Sequence, residues 1–228
     1  IVTSPSELER LRGAAATVDS VVEQMSGVRF SGRSEEEVSR EFTDRAIAGG
    51  HQTVDFAIVA SGPNGASPHH HAGHRVIQHG DAIVCDFGGF QDGYGSDTTR
   101  MFVVGDAPVG FDDAYEVLME AQEAAVQSIR PGVSAESVDA VARGIIDESG
   151  YGDYFIHRTG HGIGMDTHEH PYIIEGNDTR LVPGMAFSVE PGIYVEGSWG
   201  MRIEDIVVVT DNGAERLNTT DRSYRIVV

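Results

Sequence analysis

The chain has 228 residues, of which 40 % are hydrophobic and 23 % are charged, as expected for one large globular domain or two small ones. Its 16 basic and 36 acidic residues give a net charge of −20, which disfavours a nucleic-acid partner because polyanion binding depends on Lys and Arg. No apolar run approaches the roughly 18 residues of a membrane span, and no signal peptide is visible.

Helix signals open the first part of the chain, and strand-like segments follow them. Ser4-Pro5-Ser6-Glu7 combines a Ser cap, Pro at the first helical position and Glu at the third, and predicts a helix to about Gln24. Ser34-Glu35-Glu36-Glu37 predicts a second capped helix, to about Ala48. Predicted strands, separated by Gly-rich turns, follow at Val54–Ala60, Ala82–Phe87 and Thr98–Val104.

The same order of elements recurs in the second part of the chain. One helix is predicted from about Asp112 to Ile129, and another, capped by Ser134, ends near Gly150. Strands are predicted at Met185–Val189 and Met201–Val209. Two helices followed by strands, occurring twice, indicate an internal repeat.

Matching landmarks support a duplication of about 105 residues. Gly27 and Gly132 each precede a valine. Gly80 lies six residues before Asp86, as Gly184 lies six before Glu190. Since no low-complexity linker separates the copies, we expect one domain over residues 1–228, with internal halves at about 4–105 and 111–210. Coincidence among common helix and strand patterns is the alternative.

In the first copy, two carboxylate residues occur within segments that are otherwise apolar or Gly-rich and are predicted to be strands. Asp86 follows the apolar run Ala82–Cys85, and Asp97 follows eleven residues later. An Asp92-Gly93 hairpin turn sets a register that places Gly88 opposite Asp97. Asp86 then lies on the same face as Asp97, diagonally across the strands, at the roughly 7–8 Å typical of such neighbours.

The second copy offers a matching pair of acids. A three-residue turn centred on Gly197 would place Glu190 directly opposite Glu204. An unpaired buried carboxylate costs several kcal/mol, so four acids close together must either pair with cations or be protonated. Solvated acids on an edge strand, or pairing with Arg100 and Arg202, are the alternatives. The match of four acids across a repeat favours a divalent-metal site.

One histidine stands out in TGHGIGMDTHEHP. His161 is flanked by glycines, which allow the backbone to approach another group closely. Oxygen-rich sites with one imidazole suit Mn²⁺, Co²⁺, Fe²⁺ or Zn²⁺. A single histidine between glycines is more often a turn residue, so its weight as a candidate ligand comes from the four acids.

Five motifs follow one another along the chain: SGPNGASPHH, DFGGFQDGYGSDTTR, GHGIGMDTHEHPY, SVEPGIY and GMRIED. Together they resemble the metallopeptidases of the pita-bread fold (family M24), and within them most closely the proline dipeptidase (prolidase) and aminopeptidase P branch. The resemblance covers nearly the whole chain. It implies an α+β fold of two pseudo-symmetric halves, with a curved antiparallel sheet backed by helices.

The resemblance also implies a dinuclear metal site. Asp86 would bind one ion, His161 and Glu190 the other, and Asp97 and Glu204 would bridge the two. All five positions are filled, so nothing marks the chain as a relative that has lost its metals. Mn²⁺ is the first expectation, with Co²⁺, Zn²⁺ or Fe²⁺ as alternatives. A water or hydroxide bridging the ions would be the nucleophile.

Further roles follow from the resemblance for residues around that site. Glu190 would also shuttle a proton. His69 and His168 match the substrate-side histidines, which contact the substrate carbonyl or the tetrahedral intermediate, although two surface histidines are the ordinary interpretation. The choice of His69 over His70 rests on spacing. Arg202 would help to recognise the substrate, or serve only as a counter-ion for the acidic pocket.

The chain departs from the family pattern in three respects. Extra histidines surround the site, and they suggest either a further metal contact or a solvated loop; they are His70, His71, His74, His79 and His170. The N-terminal domain usual in this branch is absent from these 228 residues, which leaves dipeptidase and longer-peptide activity open. The first residue is Ile1 rather than Met, so we expect a fragment or processed form.

The leading functional expectation is a metal-dependent exopeptidase that cleaves the Xaa–Pro bond at a peptide N-terminus. Its substrate is then a peptide with proline at the second position, and a homodimer in the cytoplasm is expected. Cys85, the only cysteine, fits a reducing compartment. Aminopeptidase P, methionine aminopeptidase and a creatine-type hydrolase are rival enzymes. A non-catalytic pita-bread protein that binds peptides, histones or RNA is a rival of another class.

Overall fold

The computed structural model describes residues 2–228 and contains the four predicted helices. They are α1 (Pro5–Met25), α2 (Glu35–Gly49), α3 (Phe111–Ser128) and α4 (Ala135–Glu148). Ser4 and Ser34 form the two predicted capping boxes. None of these helices, in the part of the chain described, combines the length and apolar character that a membrane crossing requires.

The predicted cap position at Ser134 is confirmed, but its side chain does not make the capping bond. Ser134 occupies the N-cap position of α4, but its hydroxyl caps no backbone N–H group. The first N–H groups of α4 instead donate to a neighbouring loop, from Ala135 to the Thr179 carbonyl and from Glu136 to the Asn177 carbonyl. These bonds satisfy the helix start, so a capping hydroxyl is not needed there.

The strands form three sheets. In chain order they are β1 (Thr53–Ser61), β2 (Ala82–Gln91), β3 (Tyr94–Val104), β4 (Gly160–Gly162), β5 (Glu169–Ile173), β6 (Ala186–Val189), β7 (Gly192–Val195), β8 (Trp199–Arg202), β9 (Asp205–Val209), β10 (Ala214–Arg216) and β11 (Arg225–Val227). One sheet has the order β1-β2-β3-β11, a second has the order β10-β9-β6-β4-β5, and β7 and β8 form a hairpin. All pairings are antiparallel except that of β11 with β3.

Alternate residues of β2 point into different parts of the core. Ile83 and Cys85 pack with α1 and α2 in one apolar cluster, while Ala82 and Val84 pack with α3 and α4 in another. Because side chains alternate along a strand, Asp86 lies on the face of Val84. The acid therefore points to the interior of the domain and away from α1 and α2.

Backbone hydrogen bonds of the two halves correspond pair by pair. Gly32 donates to the Ile77 carbonyl, as Gly132 donates to that of Leu181. The bond from Gly80 to Val104 has its counterpart in the other half, as do the bridges that precede α2 and α4. These contacts support the internal duplication, but they match Gly132 with Gly32, so the predicted match of Gly132 with Gly27 is wrong. The boundaries of the two halves stay a prediction.

The predicted strand Met201–Val209 is two strands, β8 and β9. The break falls at Ile203 and Glu204. Glu204 forms an isolated bridge with Thr99 of β3, and its N–H group donates to the Thr99 carbonyl at 3.3 Å. The strand is interrupted here because Glu204 pairs with a strand of the other half of the domain.

Candidate metal centre

The first hairpin has the predicted register. β2 and β3 meet at the Asp92-Gly93 turn, and both turn residues have positive φ, 51° and 78°. Gly88 pairs with Asp97, and Asp86 pairs with Thr99. The acids are therefore diagonal neighbours on one face, as the turn predicts, and both are buried.

The second hairpin also has the predicted register. Gly192 pairs with Arg202 in the β7–β8 ladder, and Val189 pairs with Asp205 where β6 meets β9. Both ladders share one register, which places Glu190 opposite Glu204. The Thr99–Glu204 bridge then joins the second pair of acids to the first pair.

One cavity of about 570 Å³ lies between the two hairpins. Its wall contains all eight residues that the sequence indicates for the site: Asp86, Asp97, His161, Glu190, Glu204, His69, His168 and Arg202. Its outer wall adds Phe56, Ile58 and Ile174. A mostly apolar cleft with convergent charged groups is typical of a small-ligand site.

The innermost acids have oxygen atoms without protein partners. Possible ligand atoms of Asp97, His161 and Glu204 all lie within 4.8 Å of one another. Three fully buried oxygens accept no hydrogen bond, namely Asp86 Oδ1, Asp97 Oδ1 and Glu204 Oε1. Buried polar atoms are normally satisfied, so these oxygens are available to bind a cation.

The crowding of acids raises their pKa values. Burial raises the pKa of Asp97 far above its ordinary value, and the charges of Glu204, Asp86 and Glu190 add to the effect. Burial also raises the pKa of Glu204, with repulsion from Glu190 and Asp86. The pKa of Glu190 rises to about 7, mainly through burial, although the charge of Arg202 and the Ser188 hydroxyl oppose the shift.

His161 presents an unprotonated nitrogen to these acids. Its Nδ1 lies 3.1 Å from the Gly162 carbonyl, which can only accept a hydrogen bond, so Nδ1 carries the proton. Burial lowers the pKa of His161 to about 4, so the ring is neutral. The Nε2 lone pair then faces Glu190 Oε1 at 3.2 Å and Asp97 Oδ2 at 3.6 Å, an arrangement suited to binding a metal.

The glycines beside His161 permit the predicted close approach. A Cβ atom at Gly160 would collide with the Ser188 carbonyl, and one at Gly162 would collide with the backbone of His170. The Ser188 hydroxyl accepts from the His161 N–H group and donates to Glu190 Oε1, each at 3.0 Å. Ser188 therefore fixes the imidazole and the acid relative to each other.

Arg202 is a fully engaged counter-ion. Its Nη2 lies 2.5 Å from Asp86 Oδ2, and its Nε donates to Thr99 Oγ1 at 3.1 Å. Its Nη1 donates to the Tyr194 hydroxyl at 2.7 Å. Although burial opposes its charge, Tyr194, Asp86 and the other acids raise the pKa of Arg202 well above its ordinary value. Arg202 is therefore the counter-ion of Asp86, as one of the two interpretations of this arginine predicts.

Arg100, the other suggested partner, pairs elsewhere. Its Nη2 lies 2.6 Å from Asp205 Oδ1, and its Nη1 donates to the Glu204 backbone carbonyl at 2.5 Å. This buried guanidinium holds the backbone at the break between β8 and β9. It leaves the Glu204 carboxylate directed into the cavity, where only Thr99 Oγ1 donates to it, at 2.7 Å.

The histidines at the mouth of the cavity have different partners. The His168 ring stacks on that of His161 with centroids 4.0 Å apart, and partial burial with the nearby His161 lowers the pKa of His168. His70 Nε2 lies 2.7 Å from Glu35 Oε2, whereas His69 is exposed at the cavity wall. This difference favours His69 over His70 as a substrate contact.

The extra histidines do not form a second metal cluster. His70 is bound to Glu35, and His74 is exposed beside Glu36. In residues 2–228, the group that could hold an ion is Asp97, His161 and Glu204. The solvated-loop interpretation of the histidine-rich segment is therefore the better one.

Sequence reasoning missed four residues that hold the site together. They are Thr99, Ser188, Tyr194 and His157. The Tyr194 hydroxyl accepts from Arg202 and lies 2.8 Å from His157 Nε2. His157 Nδ1 donates to the Arg158 carbonyl, so Tyr194 is the donor to Nε2. Thr99, Ser188 and Tyr194 lie inside the quoted motifs, and strand alternation from Asp97 would have placed Thr99 on the cavity face.

The donor set fits divalent metal ions. Four carboxylates and one neutral imidazole line a buried wall, and hard or borderline ions prefer such donors. Ligand atoms of Asp97, His161 and Glu204 lie within 4.8 Å of one another, and the predicted ligands Asp86 and Glu190 line the same cavity outside this close group. Among the cavity acids, Asp86 pairs with Arg202, and Glu190 lies 4.0 Å from the same guanidinium. The deficit of positive charge is therefore concentrated at Asp97 and Glu204.

Comparisons with known proteins agree with this geometry. The model of metallopeptidase family M24 matches residues 9–211. The probable dipeptidase PepE of Mycobacterium tuberculosis is 47 % identical over 228 residues, which are 100 % of this chain and 61 % of that protein. The chain therefore spans less than two thirds of this relative.

Solved structures show the same fold. The recombinant prolidase from Thermococcus sibiricus superposes with a TM-score of 0.96 at 45 % identity, over 100 % of this chain and 62 % of that one. The X-Pro aminopeptidase from Thermotoga maritima gives a TM-score of 0.96 at 37 % identity, over 99 % and 64 %. The chain belongs to metallopeptidase family M24 and has its pita-bread fold.

Proposed function

We propose that this chain is the catalytic domain of a dinuclear metal-dependent exopeptidase that hydrolyses the Xaa–Pro bond of dipeptides or short peptides. The observation that carries the proposal is the convergence of Asp97, Glu204 and the His161 lone pair on one point of the cavity. The names of similar proteins, which include dipeptidase, prolidase and X-Pro aminopeptidase, support the substrate class.

Five residues would hold the ions. Asp97 and Glu204 would be shared between two ions, with Asp86 on one side and His161 with Glu190 on the other. When bound, the ions would supply an acidified bridging water as nucleophile and positive charge for the scissile carbonyl oxygen. The three orphaned oxygens of Asp86, Asp97 and Glu204 support this assignment.

The chain's own groups would do the remaining work. Glu190 would also accept and return a proton, a role that rests on the family resemblance. His69 and His168, on the cavity wall, would donate hydrogen bonds to the substrate carbonyl. Arg202 would hold Asp86 and, through Thr99, Glu204 in place.

Other activities fit the same site less well. Aminopeptidase P activity on longer peptides is the first alternative, because a similar structure is named X-Pro aminopeptidase. A methionine aminopeptidase lacks such support among the similar proteins described above. A non-catalytic peptide-binding role would not require three buried acids to keep oxygens without partners.

Three finer parts of the proposal rest on the sequence and the family resemblance. They are Mn²⁺ as the native metal, a homodimer as the assembly and the cytoplasm as the location. Metal analysis of the purified protein, light scattering and cell fractionation test them separately.

Hydrolysis by metal-stripped protein with Mn²⁺, Co²⁺ or Zn²⁺ restored tests the proposal. Ala-Pro, Ala-Pro-Ala and Met-Ala-Ser are compared on wild type and Glu204→Ala. Metal-restored cleavage of Ala-Pro, lost in the variant, is expected. Cleavage of the proline tripeptide alone would identify aminopeptidase P. Cleavage of none, with metals bound, would refute the peptidase activity of this chain.

A further inference from the structure

A single acid lies on the outer wall of the cavity, apart from the acids of the metal centre. Asp55 of β1 is exposed and lines the cavity. Its Oδ1 accepts a hydrogen bond from Thr53 Oγ1 at 3.1 Å. None of the ion pairs among residues 2–228 includes it. Asp55 is therefore a negative charge on the cavity wall without a cationic partner in the described part of the chain.

A bulge in β1 brings Asp55 to the cavity. The register of β1 on β2 shifts between Val54 and Phe56, so Asp55 is an extra residue without a partner on β2. Val54 and Ala57 both pack with α1 and α2, although regular alternation over three residues would place them on opposite faces. The bulge explains this, because an inserted residue re-aims the side chains beside it. Asp55 and Phe56 consequently both line the cavity.

Apolar side chains lie between Asp55 and the metal centre. Phe56 and Ile58 lie on the cavity face of β1, two residues apart. Ile58 pairs with Asp86 on β2, so β1 extends the cavity wall outward from this acid of the metal centre. Two to three residues at about 3.3 Å each place Asp55 roughly 7–10 Å from the level of Asp86 along the strand. The wall therefore offers an apolar stretch that ends at a carboxylate.

This order of groups matches a long basic side chain. Lysine carries its ammonium on a flexible four-carbon stem, and such stems pack along apolar surface while the charged end reaches a polar partner. The N-terminal ammonium of a peptide matches less well, because it is bonded to the same Cα as the scissile carbonyl and must stay beside the metal centre. A basic side chain on the first residue can instead cross the apolar wall to Asp55.

We propose that Asp55 binds a basic side chain on the first substrate residue, so that Lys-Pro and Arg-Pro peptides are preferred to neutral ones. The inference rests on the proposed peptidase function. Asp55 is a specificity-determining residue and takes no part in metal binding or in the hydrolysis. Its carboxylate attracts the ammonium or guanidinium of the substrate, while Phe56 and Ile58 contact the apolar stem.

The test compares Lys-Pro, norleucine-Pro and Glu-Pro on metal-loaded wild type, Asp55→Asn and Asp55→Lys. Norleucine has the lysine stem without the ammonium, so the ratio of kcat/KM for Lys-Pro to that for norleucine-Pro isolates the charge. Asp44→Asn, which changes an exposed acid of α2 outside the cavity, is the matched control for net charge. Wild type should prefer Lys-Pro, and Asp55→Asn should lower the ratio by about two- to fivefold, mainly through KM, as for one exposed ion pair.

Two further results separate recognition of charge from a structural role. Asp55→Lys should reverse the preference, so that Glu-Pro gains relative to Lys-Pro. High salt should reduce the preference of wild type for Lys-Pro, because it screens an exposed charge pair. Equal losses for all three peptides in Asp55→Asn would assign the effect to the N-terminal ammonium or to the fold. An unchanged ratio, or an equal change in Asp44→Asn, would mean no specific role. Each of these last three results overturns the proposal.

Failure of the proposed function gives a different result. Wild type would then cleave none of the peptides with metals bound, and calorimetric binding of Lys-Pro and norleucine-Pro tests the Asp55 contact directly. Tighter binding of Lys-Pro than of norleucine-Pro to wild type, by about two- to fivefold, and loss of that difference in Asp55→Asn support the proposal. Equal binding of the two peptides to wild type, or no binding of either, overturns it.

Discussion

Replacement of Glu190 by Gln should stabilise the metal-free protein at neutral pH. Burial and the neighbouring Asp86 raise the pKa of Glu190 from 4.5 to about 7. The unfolded chain therefore loses this proton near pH 4.5, and the folded protein loses it near pH 7. Between these values the folded state holds more protons, so the free energy of unfolding falls as the pH rises.

The size of the effect follows from the shift. A rise from 4.5 to about 7 corresponds to roughly 3 kcal/mol, of which about 2.5 kcal/mol develops between pH 5 and pH 8. Gln at this position has the same shape and carries no charge at any pH, and its oxygen can still accept from the Ser188 hydroxyl. The charge of Glu190 also raises the pKa of Glu204. Removing that charge therefore also reduces the repulsion on the Glu204 carboxylate.

Thermal unfolding in EDTA at pH 5 and pH 8 measures this difference. The wild-type melting temperature should fall by roughly 5–10 °C more than that of Glu190→Gln, given about 2–4 °C per kcal/mol for a chain of this size. Glu196→Gln, an exposed acid in the β7–β8 turn, should behave as wild type. An equal pH dependence in wild type and Glu190→Gln would refute the reasoning.

Three further outcomes are expected. Arg202→Met should cost about 3–5 kcal/mol of unfolding free energy in EDTA, because it leaves Asp86 without its ion pair; exposed Arg40→Met should cost little, and equal costs would contradict the claim. Mn²⁺ binding followed by calorimetry in buffers of different ionisation enthalpy should release at least one proton at pH 6, since the pKa of Glu190 is about 7; no release would count against this acid as a ligand. Glu35→Gln removes the acceptor of the His70 and Gly73 donors, so it should lower the free energy of unfolding by about 2–3 kcal/mol. It should also raise KM more than Glu36→Gln does. An unchanged KM would show that this loop does not affect substrate binding.

The two acidic hairpins could be predicted because their turns fix their registers. The Asp92-Gly93 turn has positive φ at both residues, and a two-residue turn of this type fixes the register of the two strands that it joins. The turn around Gly197 does the same for the second hairpin. Both capping boxes were predictable for a similar reason, since they depend on residues only three positions apart.

Contacts between the halves could not be predicted from local pattern. Arg202 reaches Asp86 across 116 positions, and Thr99 reaches Glu204 across 105. The short strand β11 pairs with β3, although the two strands are far apart in the sequence. The break between β8 and β9 has the same origin, because Glu204 pairs with Thr99 rather than continuing one ladder.

The most direct test of the central claim is anomalous diffraction from crystals grown with Mn²⁺, at the manganese edge. The account predicts two peaks, roughly 3.5–4 Å apart, with Asp97 and Glu204 between them and His161 beside one. A single ion, or ions bound away from these side chains, would contradict the dinuclear site and the peptidase mechanism built on it.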